Sequence, residues 1–441
     1  MNDQKVSAAS DMAAFWTPRR RHYTLFILCL VGIFNFMDRQ ILSILLEPIK
    51  HDLQVTDTAM GLLSGVAFAV FYLTVGFPLA RIADRGNRRN LIAICLAIWS
   101  VATALCGLVT SYVQLIIARM GVAGGESGAY PASQSMIADL YPVSQRARVV
   151  GILLAAQSIG IAGGYFFGGW LNQAFDWRTA FIVVGLPGII LSIIMLFTVT
   201  EPPRGLADGI PQEAGTTPTV REIADFFLST PAMMVLLVVA CCNAFTGFAM
   251  LSWAPAFFMR VHDMGTLEVG KWMGLTIASG LFLGNILGGQ FADRVAKGNL
   301  STYMIISGCF ALASLPFNIW FTLAPDTNGS LLGLFLGNLL MTGWLAPIYA
   351  VALSLAPARM RAMVVAIVAL CVTLAGGLGP FVMGVLNDAF LPTFGKEGIR
   401  YSLLIAYAGL LFGSLAAFTT AALLRKRARA QATPVEPGAA A

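Results

Sequence analysis

The sequence predicts an all-α membrane protein of twelve transmembrane helices, arranged as two pseudo-symmetric six-helix bundles. Three observations lead to this prediction: a composition too apolar for a soluble domain, twelve apolar runs of spanning length, and an internal repeat. Of the 441 residues, 57% are hydrophobic and only 11% are charged, whereas about 25% of the residues in a soluble domain are charged. The 44 glycines are typical of helices that approach one another closely in a membrane.

Twelve apolar runs are each long enough to cross a bilayer as an α-helix, which takes about 20 residues. The approximate spans are 23–46, 58–80, 90–109, 112–138, 147–171, 178–199, 231–257, 270–291, 302–322, 330–353, 363–386 and 400–423. The one long connection is rich in Pro, Gly and Thr and divides the spans six and six. The predicted organisation is an N-terminal tail at 1–22, a six-helix bundle at 23–200, a linker at 201–229, a second bundle at 230–424 and a C-terminal tail at 425–441.

The distribution of basic residues predicts the orientation of the chain. If the N-terminus is cytoplasmic, 20 of the 28 Lys and Arg residues lie in inner segments and 6 lie in outer loops, which is a strong positive-inside bias. We therefore expect both tails and the linker to be cytoplasmic. The same bias accounts for the net charge of +6 without a nucleic-acid partner. At the end of the linker, Val220, Ile223 and Phe226 or Phe227 predict a short helix at the membrane interface.

An internal repeat relates the two halves. YPVSQRARVVGI at 141–152 matches APARMRAMVVAI at 356–367, and LNQAF at 171–175 matches LNDAF at 386–390 in the same register. ARIADRGNRR at 80–89 resembles GQFADRVAKG at 289–298. Parallel halves are a transporter design that places the substrate site near the membrane midplane between them. The repeat therefore favours alternating access over a channel.

Four charged residues lie well inside the spans: Asp38 and Arg39 in the first, and Arg119 and Glu126 in the fourth. An ionisable residue at the bilayer centre costs roughly 2.5–3.5 kcal/mol, so these four are expected to face one another and a cavity. Arg119 and Glu126 lie two turns apart on one helical face, at a depth close to that of Asp38. The predicted arrangement is a chain from Asp38 through Arg119 to Glu126. Arg39 points about 100° away from Asp38, towards a different layer or the substrate.

These four charges lead to a hypothesis for coupling. Asp38 and Glu126 would bind and release a proton as their surroundings change. Arg39 or Arg119, released when its partner is protonated, could hold a phosphate or carboxylate head group. The alternative is a static ion-pair network that only fixes the helix packing.

A second group of charges is expected to form a cytoplasmic gate. Asp84 and Asp293 would act as latches at a helix N-terminus of the other half; the alternative is that the basic cluster only controls topology. The predicted gate residues are Asp84, Arg85, Arg88, Arg89, Asp293, Arg294, Arg146 and Arg361. Polar residues of the second half are candidate substrate contacts, although polar groups also join helices to one another. They are Asn243, Thr246, Asn285, Asn338, Thr342, Trp344, Tyr349 and Thr373.

No residue pattern indicates a cofactor, a metal or a catalytic centre. The seven cysteines fall in apolar runs without metal-ligand spacing, and the three histidines are far apart in the sequence. We therefore expect no cofactor and no enzymatic activity. The expected partners are the lipid bilayer, a small amphipathic substrate and protons, and the protein is expected to be a monomer.

The loop after the second span resembles that of the major facilitator superfamily, whose pattern is Gly-x-x-x-Asp-Arg-x-Gly-Arg-Arg/Lys. Here Ala80 and Asn87 replace the two glycines, whereas the Asp-Arg and Arg-Arg pairs are kept. An Asn at that position is similar to the spinster-like branch, as are NFMDR at 35–39 and ARMGVAGGESGAYPASQSMIADLYPVSQRAR at 118–148. The antiporter signature would have Gly-Pro in the fifth span, where this chain has Gly160 and Ile161.

This resemblance implies the major facilitator fold and a secondary transporter that works by alternating access. It implies proton coupling and a bacterial cytoplasmic membrane. The substrate would be a lysophospholipid or a sphingoid phosphate carried through a central cavity. The alternative is a proton-coupled transporter of small organic anions or drug-like molecules.

Overall fold

The computed structural model describes residues 16–206 and 219–432. The outer parts of both predicted tails and the middle of the predicted linker lie outside these ranges. Within them the chain forms α-helices, three short 3₁₀ turns and no strand. The helices are α1 (Pro18–Leu53), α2 (Asp57–Ser64), α3 (Val66–Arg85), α4 (Arg88–Cys106), α5 (Tyr112–Leu140), α6 (Val143–Ala174), α7 (Trp177–Thr198), α8 (Val220–Ser229), α9 (Pro231–Val261), α10 (Thr266–Ala296), α11 (Leu300–Leu323), α12 (Thr327–Met341), α13 (Leu345–Leu355), α14 (Arg361–Phe394), α15 (Gly398–Ala406) and α16 (Ala408–Ala432).

The helices account for all twelve predicted spans. Ten helical stretches of the described chain are long and apolar enough to cross a membrane. One of them, Met363–Ala430, contains both the eleventh and the twelfth span. The ten stretches therefore contain eleven of the predicted spans. The remaining one is the fourth, which forms α5 and carries Arg119 and Glu126. The protein is therefore an all-α, multi-pass integral membrane protein.

Three spans that the sequence predicts as continuous helices are interrupted. The second is divided at Gly65, whose backbone angles (φ −110°, ψ −92°) leave the helical region. The tenth contains a 3₁₀ turn at Thr342–Trp344, where a Cβ on Gly343 would come within 2.8 Å of the Phe310 ring. The twelfth is interrupted at Tyr407, whose hydroxyl lies 2.7 Å from that of Thr322. Local backbone departures of this size do not change the apolar character by which a span is recognised.

The chain forms two compact units. The first comprises Met1–Glu213 with Ala254–Ala278, and the second comprises Ala214–Trp253 with Ser279–Ala441. The end of α9 and the beginning of α10 therefore pack with the first unit, although both helices start or finish in the second. Bundle boundaries at 200 and 230 stay a prediction.

A cluster of ion pairs holds the end of α9 within the first unit. Arg260 binds Glu47 of α1 and Asp57 at the start of α2. Asp57 is buried and also pairs with Lys50, at 2.5 Å. We call these four residues the Arg260 cluster. Because two carboxylates face two cations, the cluster compensates its own charge.

Glycines seat α1 against α6. A Cβ on Gly160 would lie 2.3 Å from the carbonyl oxygen of Ile33, and one on Gly164 would lie 2.6 Å from that of Met37. Further along, a Cβ on Gly168 would meet the side chain of Ile44 at 2.6 Å. The spacing of four residues places all three on one face of α6. The helix that carries Asp38 and Arg39 is thus in direct backbone contact with α6.

We expect Gly164→Leu to destabilise the folded protein. The leucine side chain has no room against the backbone of α1, and overpacking of this kind typically costs about 1–3 kcal/mol or more. A thermal unfolding assay on the detergent-purified protein would show a lower midpoint. Gly151→Leu is the matched control, because a Cβ at that position of α6 meets nothing within 4 Å. Equal unfolding midpoints for the two variants would contradict the seating of α1 on α6.

The short helix predicted at the end of the linker is confirmed as α8. Thr219 and Glu222 form a reciprocal capping box at its N-terminus, which satisfies two backbone donors. Ile223 and Phe227 are buried in a hydrophobic core of the second unit that also contains Trp344. The apolar face of α8 therefore packs on protein, whereas an interfacial helix would be expected to present that face to lipid.

Candidate functional site

The four membrane-embedded charges gather in the first unit. Asp38 and Arg39 come from α1, and Arg119 and Glu126 come from α5. Asp38, Arg119 and Glu126 are each at most 3% exposed. The arrangement depends on close packing of α5, since a Cβ on Gly125 would lie 2.7 Å from the backbone nitrogen of Trp99 in α4. Small residues at such crossings permit this approach.

Arg39 and Glu126 form the central ion pair. The Nε of Arg39 donates to Oε2 of Glu126 at 2.6 Å, and the side-chain exposures are 23% and 0% respectively. The sequence predicts Arg119 as the neighbour of Glu126; Arg119 does interact electrostatically with this carboxylate, but the direct ion pair is with Arg39. Arg39 lies one residue, and so about 100°, around α1 from Asp38, which directs it to the layer of Glu126. The pair joins a buried carboxylate to a cation that is partly accessible.

Asp38 and Arg119 are neighbours, as predicted, but the contact involves the backbone. Nη1 of Arg119 donates to the carbonyl oxygen of Asp38 at 3.4 Å. The Asp38 carboxylate accepts from the hydroxyl of Thr103 in α4, at 3.3 Å through Oδ2. Arg119 therefore interacts electrostatically with both carboxylates, as the predicted order implies. Its hydrogen bond, however, is to the backbone of Asp38, and the direct ion pair is between Arg39 and Glu126.

Aromatic rings surround the Arg39 guanidinium. Its Cζ lies 5.5 Å from the ring centroid of Phe36, 5.0 Å from that of Phe68 and 5.1 Å from that of Tyr72. Arg119 lies 5.4 Å from the Phe68 ring, so this ring is shared by both guanidinium groups. Cation–π contacts at desolvated sites stabilise a cation by up to about 2 kcal/mol. Sequence reasoning missed these rings, although Phe68 and Tyr72 are spaced i, i+4 on one helical face.

Several buried polar atoms of the site have no hydrogen-bond partner within the described part of the chain. They are Oδ1 of Asp38, Oε1 of Glu126, Nε of Arg119 and Nε1 of Trp99. The side chains of Trp99 and Asn35 interact with the carboxylates of Asp38 and Glu126, respectively, but neither forms a hydrogen bond of full geometry to these oxygens. Partly satisfied polar networks are costly in a low-dielectric interior. The arrangement can accept a proton on either carboxylate without first breaking a hydrogen bond to that oxygen.

The predicted gate residues separate into buried and exposed groups. Arg88 is fully buried and binds Glu201 at 2.7 Å, Ser135 at 2.9 Å, and Asp139. Arg89 donates its backbone N–H to Glu201 at 2.8 Å. These contacts join α4, α5 and the beginning of the linker. Sequence reasoning missed both carboxylates, although Asp139 lies in the Ile-Ala-Asp-Leu stretch that carries the spinster-like resemblance.

The remaining gate residues are bound locally or exposed. Arg146 donates to the carbonyl oxygens of Ala138 and Tyr141, at 2.5 and 3.0 Å, and so caps the end of α5. Asp293 accepts from the Tyr303 hydroxyl at 2.7 Å. The others are exposed and make no ion pair with the described residues: Asp84, Arg85, Arg294 and Arg361. Their role as a gate stays a prediction.

The candidate substrate contacts of the second half mostly bind helix backbones. Thr246 donates to the carbonyl oxygen of Ala406 at 2.8 Å, and Trp344 lies in the hydrophobic core. Asn243, Asn338 and Thr373 donate to carbonyl oxygens of their own helices, and Thr342 donates to the carbonyl oxygen of Asn338 in α12. Tyr349 is half-buried and packs against the same core, whereas Asn285 is exposed. These contacts favour helix packing over substrate binding for most of the group.

Within residues 16–206 and 219–432, no group of three or more His, Cys, Asp or Glu side chains could hold a metal ion. The charged site contains two carboxylates, two guanidinium groups and three aromatic rings.

The sequence model of one protein family, described as Major Facilitator Superfamily, matches residues 28–380. The chain belongs to the major facilitator superfamily. An MFS-type efflux pump of Mycolicibacterium smegmatis is 30% identical over 97% of this chain and 98% of the pump. Protein spinster homolog 1 of Xenopus tropicalis is 26% identical over 92% and 81% of the two chains.

A solved structure extends the similarity to three dimensions. A bacterial homologue of the human lysosomal transporter spinster, in an inward-facing and unoccupied conformation, superposes with a TM-score of 0.81. It is 28% identical, and the match covers 93% of this chain and 98% of the homologue. The predicted superfamily, its spinster-like branch and the fold class are confirmed. Since these relatives are transporters, the prediction that the chain is not an enzyme is confirmed as well.

Proposed function

We propose that this major facilitator protein is a proton-coupled transporter of an amphipathic anion, a lysophospholipid or a sphingoid phosphate. It would work by alternating access in a bacterial cytoplasmic membrane, with both termini cytoplasmic. The observation that carries the proposal is the ion pair between buried Glu126 and partly accessible Arg39. A bilayer-embedded ion pair of this kind is more typical of a transport pathway than of a structural site.

Proton binding at Glu126 competes with its hold on Arg39. An ionised Glu126 occupies Nε of the guanidinium at 2.6 Å. When the carboxylate takes up a proton, the attraction between the two groups falls and the guanidinium becomes available to an external anion. A guanidinium binds phosphate or carboxylate through two parallel N–H donors. Proton uptake by Glu126 and anion binding by Arg39 are thereby linked.

The rings around Arg39 support an amphipathic substrate. Phe36, Phe68 and Tyr72 present apolar surface next to the cation, so a ligand with a charged head and an apolar body meets both kinds of contact. They also hold the guanidinium in place while its carboxylate partner is protonated.

Asp38 supplies a second proton-binding group in the proposal. Its carboxylate is 2% exposed, accepts from the Thr103 hydroxyl at 3.3 Å and interacts with the Trp99 indole and the Arg119 guanidinium. A static lock would be expected to satisfy its buried oxygens more completely. The unpartnered oxygens of Asp38 and Glu126 therefore favour proton exchange over the static alternative.

A second candidate function is the export of small organic anions or drug-like molecules. The 30% identity with an efflux pump over nearly the whole chain favours it. Both candidates use the same proton-binding site and differ in the size and charge of the substrate.

The test is transport into liposomes that contain the purified protein under an imposed proton gradient. The panel contains lysophospholipids, sphingoid phosphates, small organic anions and a lipophilic cation. We expect gradient-driven uptake of a phosphate-bearing amphiphile. Arg39→Lys should raise its half-saturation concentration about tenfold, because lysine loses the planar, bidentate contact and the ring stacking.

Arg359→Lys is the matched control, since Arg359 is exposed and makes only a 3.9 Å contact with Glu222. It should leave the half-saturation concentration unchanged. Gradient-driven transport of the cation alone would contradict the proposed substrate class. Transport of small anions without the amphiphiles would establish the second candidate in its place.

A further inference from the structure

The predicted cytoplasmic end of α16 carries a basic surface with two adjoining cavities. The first, of about 560 Å³, is lined at one end by Arg425, Lys426 and Arg429. The second, of about 550 Å³, shares Arg425 and Arg429 and adds Arg427. Cavities of this size fall within the range of small-molecule sites. We call this surface the α16 basic groove.

The groove joins a cationic end to an apolar face. The first cavity is completed by Ile305, Phe418, Ala421 and Ala422. One turn further into the span, Leu415 is 62% exposed on the same side of α16. The spacing from 415 through 418 and 422 to 426 keeps these positions on one helical face. An apolar stripe therefore leads from the membrane span directly to the basic residues.

The residues that line the groove carry a net positive charge. Arginine and lysine line both cavities, and no Asp or Glu is among the lining residues of either. Arg425 is fixed in place because its Nε donates to the Ser301 hydroxyl of α11 at 3.0 Å. The Ser301 hydroxyl in turn donates to the carbonyl oxygen of Ala421, at 2.9 Å. One guanidinium of the groove is thus oriented by the neighbouring helix α11.

We propose that the α16 basic groove binds an anionic phospholipid of the surrounding bilayer. Its phosphate would lie among Arg425, Lys426 and Arg429, and an acyl chain would lie along Phe418 and Ala422. Basic pockets between transmembrane helices at the membrane surface recognise anionic head groups in this way. A positive-inside bias alone requires charge near the membrane but no cavity between helices. The site involves the second unit only and is independent of the charged site in the first.

The proposal can be tested by native mass spectrometry of the full-length protein released from detergent micelles. The added lipids are cardiolipin, phosphatidylglycerol and the zwitterionic phosphatidylethanolamine, all with oleoyl chains. We expect more adducts with the first two lipids than with the third. Since one basic residue changes anionic lipid binding about fivefold, the double variant Arg425→Gln, Arg429→Gln should bind about 25-fold more weakly.

Two further variants keep the test decisive. Lys426→Gln with Arg427→Gln removes two exposed charges of the groove without disturbing the Ser301 contact, and it should also weaken binding. Arg19→Gln with Arg359→Gln removes two charges that line neither cavity, and it should bind lipid as the wild type does. Equal weakening in this control, or no preference for anionic lipid, would overturn the proposal. Adducts with inorganic phosphate in place of adducts with the anionic lipids would also overturn it, because free phosphate would then be the ligand.

Discussion

Glu126→Gln is expected to abolish proton-driven accumulation of substrate while preserving exchange of substrate across the membrane. Glutamine has nearly the shape of a protonated glutamate, but it can neither release nor take up a proton. The variant would therefore remain in the state in which Arg39 is available to an anion. Steps that need no change of protonation would continue, whereas net transport coupled to the gradient would stop. Transport by the variant should also lose its dependence on pH.

The measurement compares two assays on the same liposomes. Gradient-driven uptake should fall at least about tenfold, and counterflow of labelled against unlabelled substrate should persist near the wild-type rate. Glu268→Gln is the matched control, because this carboxylate is exposed and makes no ion pair with the described residues. If Glu126→Gln still accumulates substrate against its gradient, Glu126 does not carry the coupled proton. Loss of both activities with a normal unfolding midpoint would show that the carboxylate is needed for binding instead.

Arg88→Gln is expected to lower the stability of the first unit more than any other single charge removal at this end of the helices. Its guanidinium is 0% exposed and joins Asp139 to Glu201. The substitution leaves two carboxylates close together without their shared cation. Breaking a buried pair in this way typically costs about 3–5 kcal/mol.

Thermal and denaturant unfolding of the purified protein would measure this loss. Arg85→Gln is the control from the same loop, since Arg85 is exposed, and its change in stability should lie within about 0.5 kcal/mol. A second variant, with Asp139→Asn and Glu201→Gln added to Arg88→Gln, should recover part of the loss because the unpaired carboxylates are removed. No difference between Arg88→Gln and Arg85→Gln would contradict the structural role of the buried network.

The spans and their number could be predicted from the sequence because a long apolar run has few alternatives to a membrane helix. The interruptions at Gly65 and at Thr342–Trp344 could not. They depend on single residues and on the neighbouring helix, as the close approach of Gly343 to Phe310 shows. Mean hydropathy is averaged over a whole span, so it does not report the effect of one residue or of a neighbouring helix.

The candidate site was predictable in its charges and less so in its contacts. Asp38, Arg39, Arg119 and Glu126 are conspicuous because charges are rare in apolar segments. Which arginine reaches Glu126 depends on helix rotation and neighbours, and the spacing of two residues on one helix does not determine either. Phe68 and its neighbouring rings were missed because the chain contains 29 phenylalanines, and the sequence does not distinguish those that face a guanidinium. In the same way, Arg85 and Arg88 share one motif, but only the second is buried.

The length of α1 has a mechanical consequence. Arg39 and Glu47 lie eight residues apart on this helix, which corresponds to about 12 Å of rise, and each anchors a different ion-pair group. The glycine-lined contact with α6 runs from Ile33 to Ile44, so Arg39 lies within it and Glu47 lies beyond it. We expect a displacement of Glu47 together with Arg260 to strain the packing of this end of α1 on α6. The end of α9, which carries Arg260, and the carboxylate of Glu126 are therefore bound to the same helix, through Glu47 and Arg39 respectively.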